Sequence, residues 1–337
     1  MKVAIVTVRS QTGEAGGAER FYDALVGAFC QAGHDAQEVP VVADESTFDH
    51  IKQNYVTCYD LDLSAFDLVV STKAPTWLVR HPRHVSYLVH TIRVFYDMFD
   101  TVFPDAGPEL QAQRELVHHL DTLALAVPHC RKVFSIGNEV SKRLRAWNGL
   151  DAEVLHPPLW SNAFRVGPLG DYLLLPGRLH PWKRVDLIIR AMRNVSAPLR
   201  LVITGIGEAE EDLRALAAGD PRIEFRGRVS DTELVDLYAE AFAVPFTPTR
   251  EDYGYVTLEA FASGKPVITC SDSGEAAAIV QQSLAGYVCP PDPAAIGKHI
   301  DMLWQDRPLA ETFGRSGREW VRGLSWANIV ARLIEVS

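Results

Sequence analysis

Two glutamates, Glu251 and Glu259, stand in the segment Glu251-Asp252-Tyr253-Gly254-Tyr255-Val256-Thr257-Leu258-Glu259-Ala260-Phe261-Ala262-Ser263-Gly264-Lys265-Pro266. Gly254 lets the first carboxylate's loop turn sharply. A short apolar helix is expected over residues 255–263, ended by Gly264 and barred from continuing by Pro266. Helical side chains lean toward their own N-terminus, so Glu259 is expected to point back to the mouth where Glu251 sits. That mouth also offers unpaired N–H groups and the positive end of the helix dipole, a seat for phosphate. Two carboxylates around a phosphate seat suit a ligand with both hydroxyls and a diphosphate, such as a nucleotide sugar. A surface salt-bridge helix is the weaker reading, because Leu258, Ala260 and Phe261 surround Glu259 with apolar groups. A carboxylate buried there without partners costs several kcal/mol.

Three further segments carry reactive or charged groups at strand ends. In Pro176-Gly177-Arg178-Leu179-His180-Pro181-Trp182-Lys183-Arg184, Arg178 and Lys183 flank a strand-to-helix loop. Such a cation pair neutralises a diphosphate through bidentate and point-charge contacts. His90 closes a strand and is placed to meet a ligand. After the first strand, Gly13-Glu14-Ala15-Gly16-Gly17-Ala18-Glu19 lets backbone amides approach an anion at a helix start, although it is not Gly-x-Gly-x-x-Gly. Asp60-Leu61-Asp62 reads as surface, and Thr204-Gly205-Ile206-Gly207 as a tight turn with at most a ligand contact.

The elements that must position these groups alternate strand and helix twice. Strands are expected over residues 2–8, 36–42, 66–71, 85–90 and 131–136, with helices over 18–32 and from an N-cap at Asn138 to Trp147. The rhythm pauses at His156-Pro157-Pro158 and Gly167-Pro168-Leu169-Gly170, a density of proline and glycine that marks a linker. It restarts with strands over 172–175, 199–204, 223–225, 241–244 and 266–269, and helices over 185–192, 210–217 and 231–239. This is an α/β chain of two facing Rossmann-like domains, with a cleft between them where ligands bind such sheets.

Composition agrees. The 337 residues suffice for about two domains. Net charge is −10, shared evenly between the halves, which excludes a broad nucleic-acid surface. Five scattered cysteines have neither zinc spacing nor an even count, so reduced thiols are expected. No run approaches the ~20 apolar residues of a membrane span. A soluble cytoplasmic protein is expected. Arg80, His81, Arg83 and His84 could form a basic patch beside the stretch Phe95, Tyr96, Met98, Phe99 and Phe103; core packing plus a solvated loop is an equal reading of the same residues. Such a patch allows weak peripheral contact with the inner membrane face at most.

Taken together, these segments resemble the retaining GT-B glycosyltransferases of family 4, the group 1 type. The family's two glutamates separated by seven residues are matched by Glu251 and Glu259, its glycine before the helix by Gly254, and its Gly-x-Pro-Val by Gly264 to Val267. Gly177-Arg178-Leu179 with Lys183 matches a second motif, Gly16-Gly17-x-Glu19 a third, and Leu324-Ser325-Trp326 the family's last helix. The chain departs after Thr269, where many relatives carry two glycines and this one has Ser271-Asp272-Ser273-Gly274-Glu275. The resemblance implies an acceptor-side domain over 1–165, a donor domain over 166–319, and a C-terminal helix within 320–337 that packs back on the first.

It also implies roles. His90, Arg178, Lys183 and Glu251 would line the reaction centre, and Gly16, Gly17, Gly254, Tyr255 and Glu259 would bind the donor. Glu259 would take the ribose hydroxyls and Glu251 those of the sugar. The donor would be a UDP-hexose or GDP-mannose, and the acceptor a hydroxyl of a saccharide, a lipid-linked saccharide or a natural product. No cofactor and no metal is expected. A nucleotide-sugar epimerase of the same architecture and a non-catalytic nucleotide-sugar-binding protein are the alternatives.

Overall fold

The computed structural model describes residues 1–9 and 16–337. The chain forms two compact units, Met1–Trp160 together with Ser325–Ser337, and Ser161–Leu324.

The first unit is built on one six-stranded parallel sheet. Its strands are β1 (Lys2–Arg9), β2 (Asp35–Val42), β3 (Leu68–Lys73), β4 (His84–His90), β5 (Val133–Ser135) and β6 (Glu153–Val154), in the order β2-β1-β3-β4-β5-β6. Val3 to Val8 are buried without a break, as a parallel strand covered on both faces requires. β2 lies at the edge of the sheet, buries Ala36 and Val41, and carries Pro40, which an edge strand tolerates. Helices α1 (Gly17–Gln31), α2 (Phe48–Tyr59), α3 (Phe99–Val102), α4 (Pro108–Leu125) and α5 (Asn138–Asn148) connect the strands. On α1, Phe21, Tyr22, Leu25, Ala28 and Phe29 make one buried stripe at helical spacing. The cap of α5 is Gly137, so Asn138, expected as the cap, is instead the first helical residue.

The second unit holds β7 (Tyr172–Pro176), α6 (Val185–Met192), β8 (Arg200–Thr204), α7 (Glu210–Ala217), β9 (Ile223–Gly227), α8 (Asp231–Glu240), β10 (Val244–Pro245), α9 (Tyr255–Ala262), β11 (Val267–Cys270), α10 (Glu275–Ser283), β12 (Gly286–Cys289), α11 (Pro293–Gln305) and α12 (Arg307–Arg322). Two three-stranded parallel ladders, β7-β8-β9 and β10-β11-β12, join through a bridge between Leu173 and Ala243. The Leu174 N–H donates to Ala243 O and the Phe242 N–H to Tyr172 O. Across the sheet the order is therefore β9-β8-β7-β10-β11-β12. The direction of travel reverses between β7 and β10, the switch point beyond whose C-terminal edge such sheets bind ligands. Leu173, Leu175, Ile188, Leu201, Ile203, Phe242 and Ile268 form the core beneath it.

The last helix, α13 (Trp326–Glu335), belongs to the first unit. Trp326 packs on Phe21 at 5.9 Å between ring centroids, and Arg332 holds both oxygens of Glu153 at 2.9 Å.

Candidate functional site

At the switch point of the second unit, β7 leads into Gly177 and the exposed Arg178, with Leu179 buried behind them. This loop is braced from β8: the Gly177 N–H donates to Thr204 O and the Leu179 N–H to Ile206 O. A side chain at position 205 would place its Cβ 1.9 Å from the Gly177 carbonyl oxygen, so only glycine fits there. The Thr204–Gly207 turn therefore serves as the loop's support.

A 3-10 turn, Pro181–Lys183, follows. His180 caps it by accepting the Trp182 N–H on Nδ1 at 3.0 Å. The turn presents Lys183, whose Nζ donates to both carboxylate oxygens of Glu251 at 2.8 Å. The two side chains are 29% and 17% exposed, so screening limits the pair to about 1 kcal/mol of stability. Its value is geometric, since a cation and a carboxylate from loops 68 residues apart are held at one point.

The backbone of Glu251 is fixed by residues that sequence reasoning did not single out. Arg184 donates to the carbonyls of Thr247 and Pro248 at 2.6 and 2.9 Å, and to both oxygens of Asp272 at 2.7 Å. The Glu251 N–H donates to Ser273 O, and Glu251 O accepts from the Glu275 N–H. Gly274, at φ +63°, lies so close that a Cβ would sit 2.5 Å from Glu251 O and 2.6 Å from its N. The Ser271–Glu275 loop is thus a strap across Glu251. The signal for it was faint: a glycine beside an acidic residue.

Gly254 turns at φ +81° and caps α9. Glu259, on that helix, is 4% exposed and accepts the Tyr238 hydroxyl on Oε2 at 2.6 Å. Each glutamate therefore has its own partner, Lys183 for Glu251 and Tyr238 for Glu259. The Tyr255 hydroxyl is buried near Glu259. Burial foremost, and then the Glu259 charge, push its pKa upward. Among the described residues, the Tyr255 and Thr257 hydroxyls and that of Thr247 have no hydrogen-bond partner. A buried hydroxyl in that condition can accept a ligand's hydrogen bond.

In the first unit, His90 ends β4 and its Nδ1 lies 2.8 Å from Thr91 O. Nδ1 must carry the hydrogen to make that bond, which sets tautomer and ring orientation. Gly16 and Gly17 open α1 after β1, with the Gly16 N–H bound to Glu19 Oε2 at 2.7 Å. Gly13, Glu14 and Ala15 lie outside the described residues. His90 and the two glycines follow C-terminal strand ends of one parallel sheet, hence share one edge of it. The stretch after His90 is held from beneath. Asp97 pairs with Arg93 at 2.7 Å and with Arg143 at 2.8 Å. Asp121 accepts from Tyr55, Tyr96 and Trp77 at 2.6, 2.7 and 2.9 Å. Burial pushes the Asp121 pKa up to about 6, against the opposing pull of those three donors.

Of the two readings of the Arg80–His84 and Phe95–Phe103 stretches, core packing with a solvated loop is the one the structure shows. His84 is fully buried, bonded to Ser71 and His129 O, and burial lowers its pKa to about 4. Arg80 is bound to Tyr59 O and Arg83 to Ser337. Phe95, Tyr96 and Phe99 are core residues. His84 opens β4, so Arg80 to His84 lie at the opposite strand end from His90. Among the described residues, no helix is long and apolar enough to cross a membrane.

Solved structures share this architecture along the whole chain. A sucrose-phosphate synthase from Thermosynechococcus elongatus superposes with a TM-score of 0.76, covering 99% of this chain and 98% of its own at 19% identity. The fold is GT-B. A second GT-B structure, an Anabaena protein in complex with UDP and glucose, gives a TM-score of 0.74 at 14% identity, covering 99% and 98%.

Residues 168–320 match the family described as glycosyl transferases group 1, a span that contains Arg178, Lys183, Glu251 and Glu259. A D-rhamnosyltransferase of Pseudomonas aeruginosa is 26% identical over 218 residues, 62% of this chain and 56% of the relative. A GDP-mannose-dependent phosphatidylinositol monomannoside mannosyltransferase of Mycobacterium tuberculosis is 31% identical over 210 residues, 56% of this chain and 53% of the relative. The match spans about half the length of these curated relatives. The family match and the relatives' names support a glycosyltransferase.

Proposed function

We propose that the protein moves a hexosyl group from a nucleotide diphosphate sugar to an acceptor hydroxyl with retention of configuration. The observation that carries this reading is the Lys183–Glu251 pair at the switch point, beside the first turn of α9. Lys183 and the exposed Arg178 would meet the diphosphate, and the α9 N-terminus would add its dipole. Glu251, already facing a cation, would accept hydrogen bonds from the sugar, and Glu259 from the ribose. Gly254 and Tyr255 would bring backbone close to the sugar and phosphate.

For His90, Gly16 and Gly17, in the first unit, we propose contacts to the substrates, as the resemblance implies. The acceptor oxygen attacks C1 on the face from which the diphosphate leaves, and the acceptor's proton passes to the departing phosphate oxygen. Cations placed where negative charge grows supply the main rate term. That arrangement needs no bound metal, so EDTA is expected to leave turnover unchanged.

The mannosyltransferase relative supports GDP-mannose as donor, and the Anabaena complex supports a UDP-hexose. Saccharide and lipid-linked acceptors fit both. A thermal-shift screen of UDP-glucose, UDP-galactose and GDP-mannose tests the donor, because a ligand that binds only the folded protein raises its melting point. Nucleoside diphosphate release then tests turnover. Full activity in both Lys183→Ala and Glu251→Ala would sink the site assignment, and epimer formation from donor alone would replace transfer with epimerisation.

A further inference from the structure

Glu259 does not stand alone in its pocket. Tyr238, from the last turns of α8, is fully buried and donates its hydroxyl to Glu259 Oε2 at 2.6 Å. The phenol ring is held in turn by an edge contact with Phe164, 5.6 Å between centroids at 78°. The backbone on either side of Tyr238 is pinned as well. The linker glycines Gly167 and Gly170 approach the carbonyls of Ala239 and Glu240 so closely that a Cβ would lie 2.2 and 2.0 Å away. Lys265 clamps that linker through the carbonyls of Gly167 and Pro168 at 3.0 and 2.6 Å. Tyr238 thus sits on a rigid base and reaches one carboxylate oxygen.

We infer that Tyr238 is a positioning residue that orients the Glu259 carboxylate for a ribose and so sets the preference for ribonucleotide over deoxyribonucleotide donors. The inference rests on the assignment of Glu259 to the ribose. An O–H donor to a carboxylate is a short, charge-assisted bond that favours the ionised acceptor and fixes its torsion. Removing it takes away one constraint on the third side-chain torsion of Glu259, the torsion that sets how its oxygens face the two ribose hydroxyls. A residue acting this way contributes to binding of the nucleoside and leaves the sugar-transfer centre alone. Its loss should therefore raise KM and leave kcat unchanged.

The test measures Kd by calorimetry for UDP, dUDP, GDP and dGDP with wild type, Glu259→Gln and Tyr238→Phe. In the wild type, the preferred base should bind at least tenfold more tightly as the ribonucleotide. Glu259→Gln should abolish that ratio, and Tyr238→Phe should reduce it roughly five- to tenfold, leaving deoxyribonucleotide affinity within about twofold. Turnover of Tyr238→Phe with the matching sugar nucleotide should show the raised KM at wild-type kcat.

If Glu259→Gln removes the ratio and Tyr238→Phe keeps it, Tyr238 is not a positioning residue, whereas the Glu259 assignment stands. If the wild type shows no ratio, or Glu259→Gln preserves one, the ribose assignment itself fails and takes this inference with it. A lower melting point in Tyr238→Phe with all four affinities reduced alike marks a purely structural tyrosine and also overturns the inference.

Discussion

Gly274→Ala should damage activity through a residue that carries no functional group. Gly274 sits at φ +63°, ψ −129°, a region almost reserved for glycine, so alanine there costs about 1–3 kcal/mol in backbone strain. Its new methyl would also meet Glu251 O at 2.5 Å and Glu251 N at 2.6 Å. Relief to ordinary contact requires the Glu251 backbone to retreat by roughly 1 Å, a displacement that can cost on the order of 100-fold in rate at a reaction centre. Overpacking adds about 1–3 kcal/mol to the stability loss. Gly219→Ala is the control, because Gly219 has φ +91° but open space where the methyl would go. It should cost only ~1–2 kcal/mol and leave catalysis unchanged. Urea unfolding and nucleoside diphosphate release, run on both variants, separate strain from collision. If Gly274→Ala turns over within threefold of wild type, or if Gly219→Ala loses as much activity, the strap does not hold Glu251.

Lys183→Ala should reduce kcat/KM by on the order of 100-fold or more while destabilising by only ~1 kcal/mol, given the partial exposure of its ion pair; paired kinetic and unfolding measurements check this. Burial lowers the Lys265 pKa to about 8. The unfolded lysine, near 10.4, then binds more protons between those values, so this residue makes stability rise with pH from about 8 to about 10, by at most about 3 kcal/mol. Urea titrations should show that rise flattened in Lys265→Met, and an identical pH slope would refute it. Asp121→Ala strands the donors of Tyr55, Trp77 and Tyr96 in the core and should cost about 3–5 kcal/mol, measured by urea unfolding.

Much of the fold was legible because buried parallel strands are written as unbroken apolar runs. Lys2–Arg9, Tyr172–Pro176 and Arg200–Thr204 fall where those runs placed strands, and Val185–Met192 and Glu210–Ala217 where helical spacing placed helices. α2 and α4 escaped for a definite reason. Their buried stripes include Asn54 and Asp121, polar residues at positions where periodicity looks for apolar ones. β10 shifted from 241–244 to Val244–Pro245, because Phe242 and Ala243 pair with β7 before the β11 ladder begins.

At the candidate site, the motif residues announced themselves by type and spacing. Their supports did not, because Arg184, Asp272 and Tyr238 act through contacts 21 to 88 residues away in sequence. The basic patch was illegible on the same ground: sequence lists charges in order, and His84 opens β4, an interior strand buried on both faces from His84 to Val89.

The return of α13 to the first unit has a consequence for biosynthesis. Trp326, Ile329, Val330 and Leu333 complete a layer whose other members are finished by Trp160. A ribosome must deliver all of Ser161–Leu324 before that layer can close, which at ~5–20 residues per second takes on the order of ten to thirty seconds. The second unit, contiguous in sequence, can fold during that interval, while the first waits with the flank of α1 near Phe21 uncovered. Released chains truncated after Leu324 should accordingly be cut by protease in the first unit before the second.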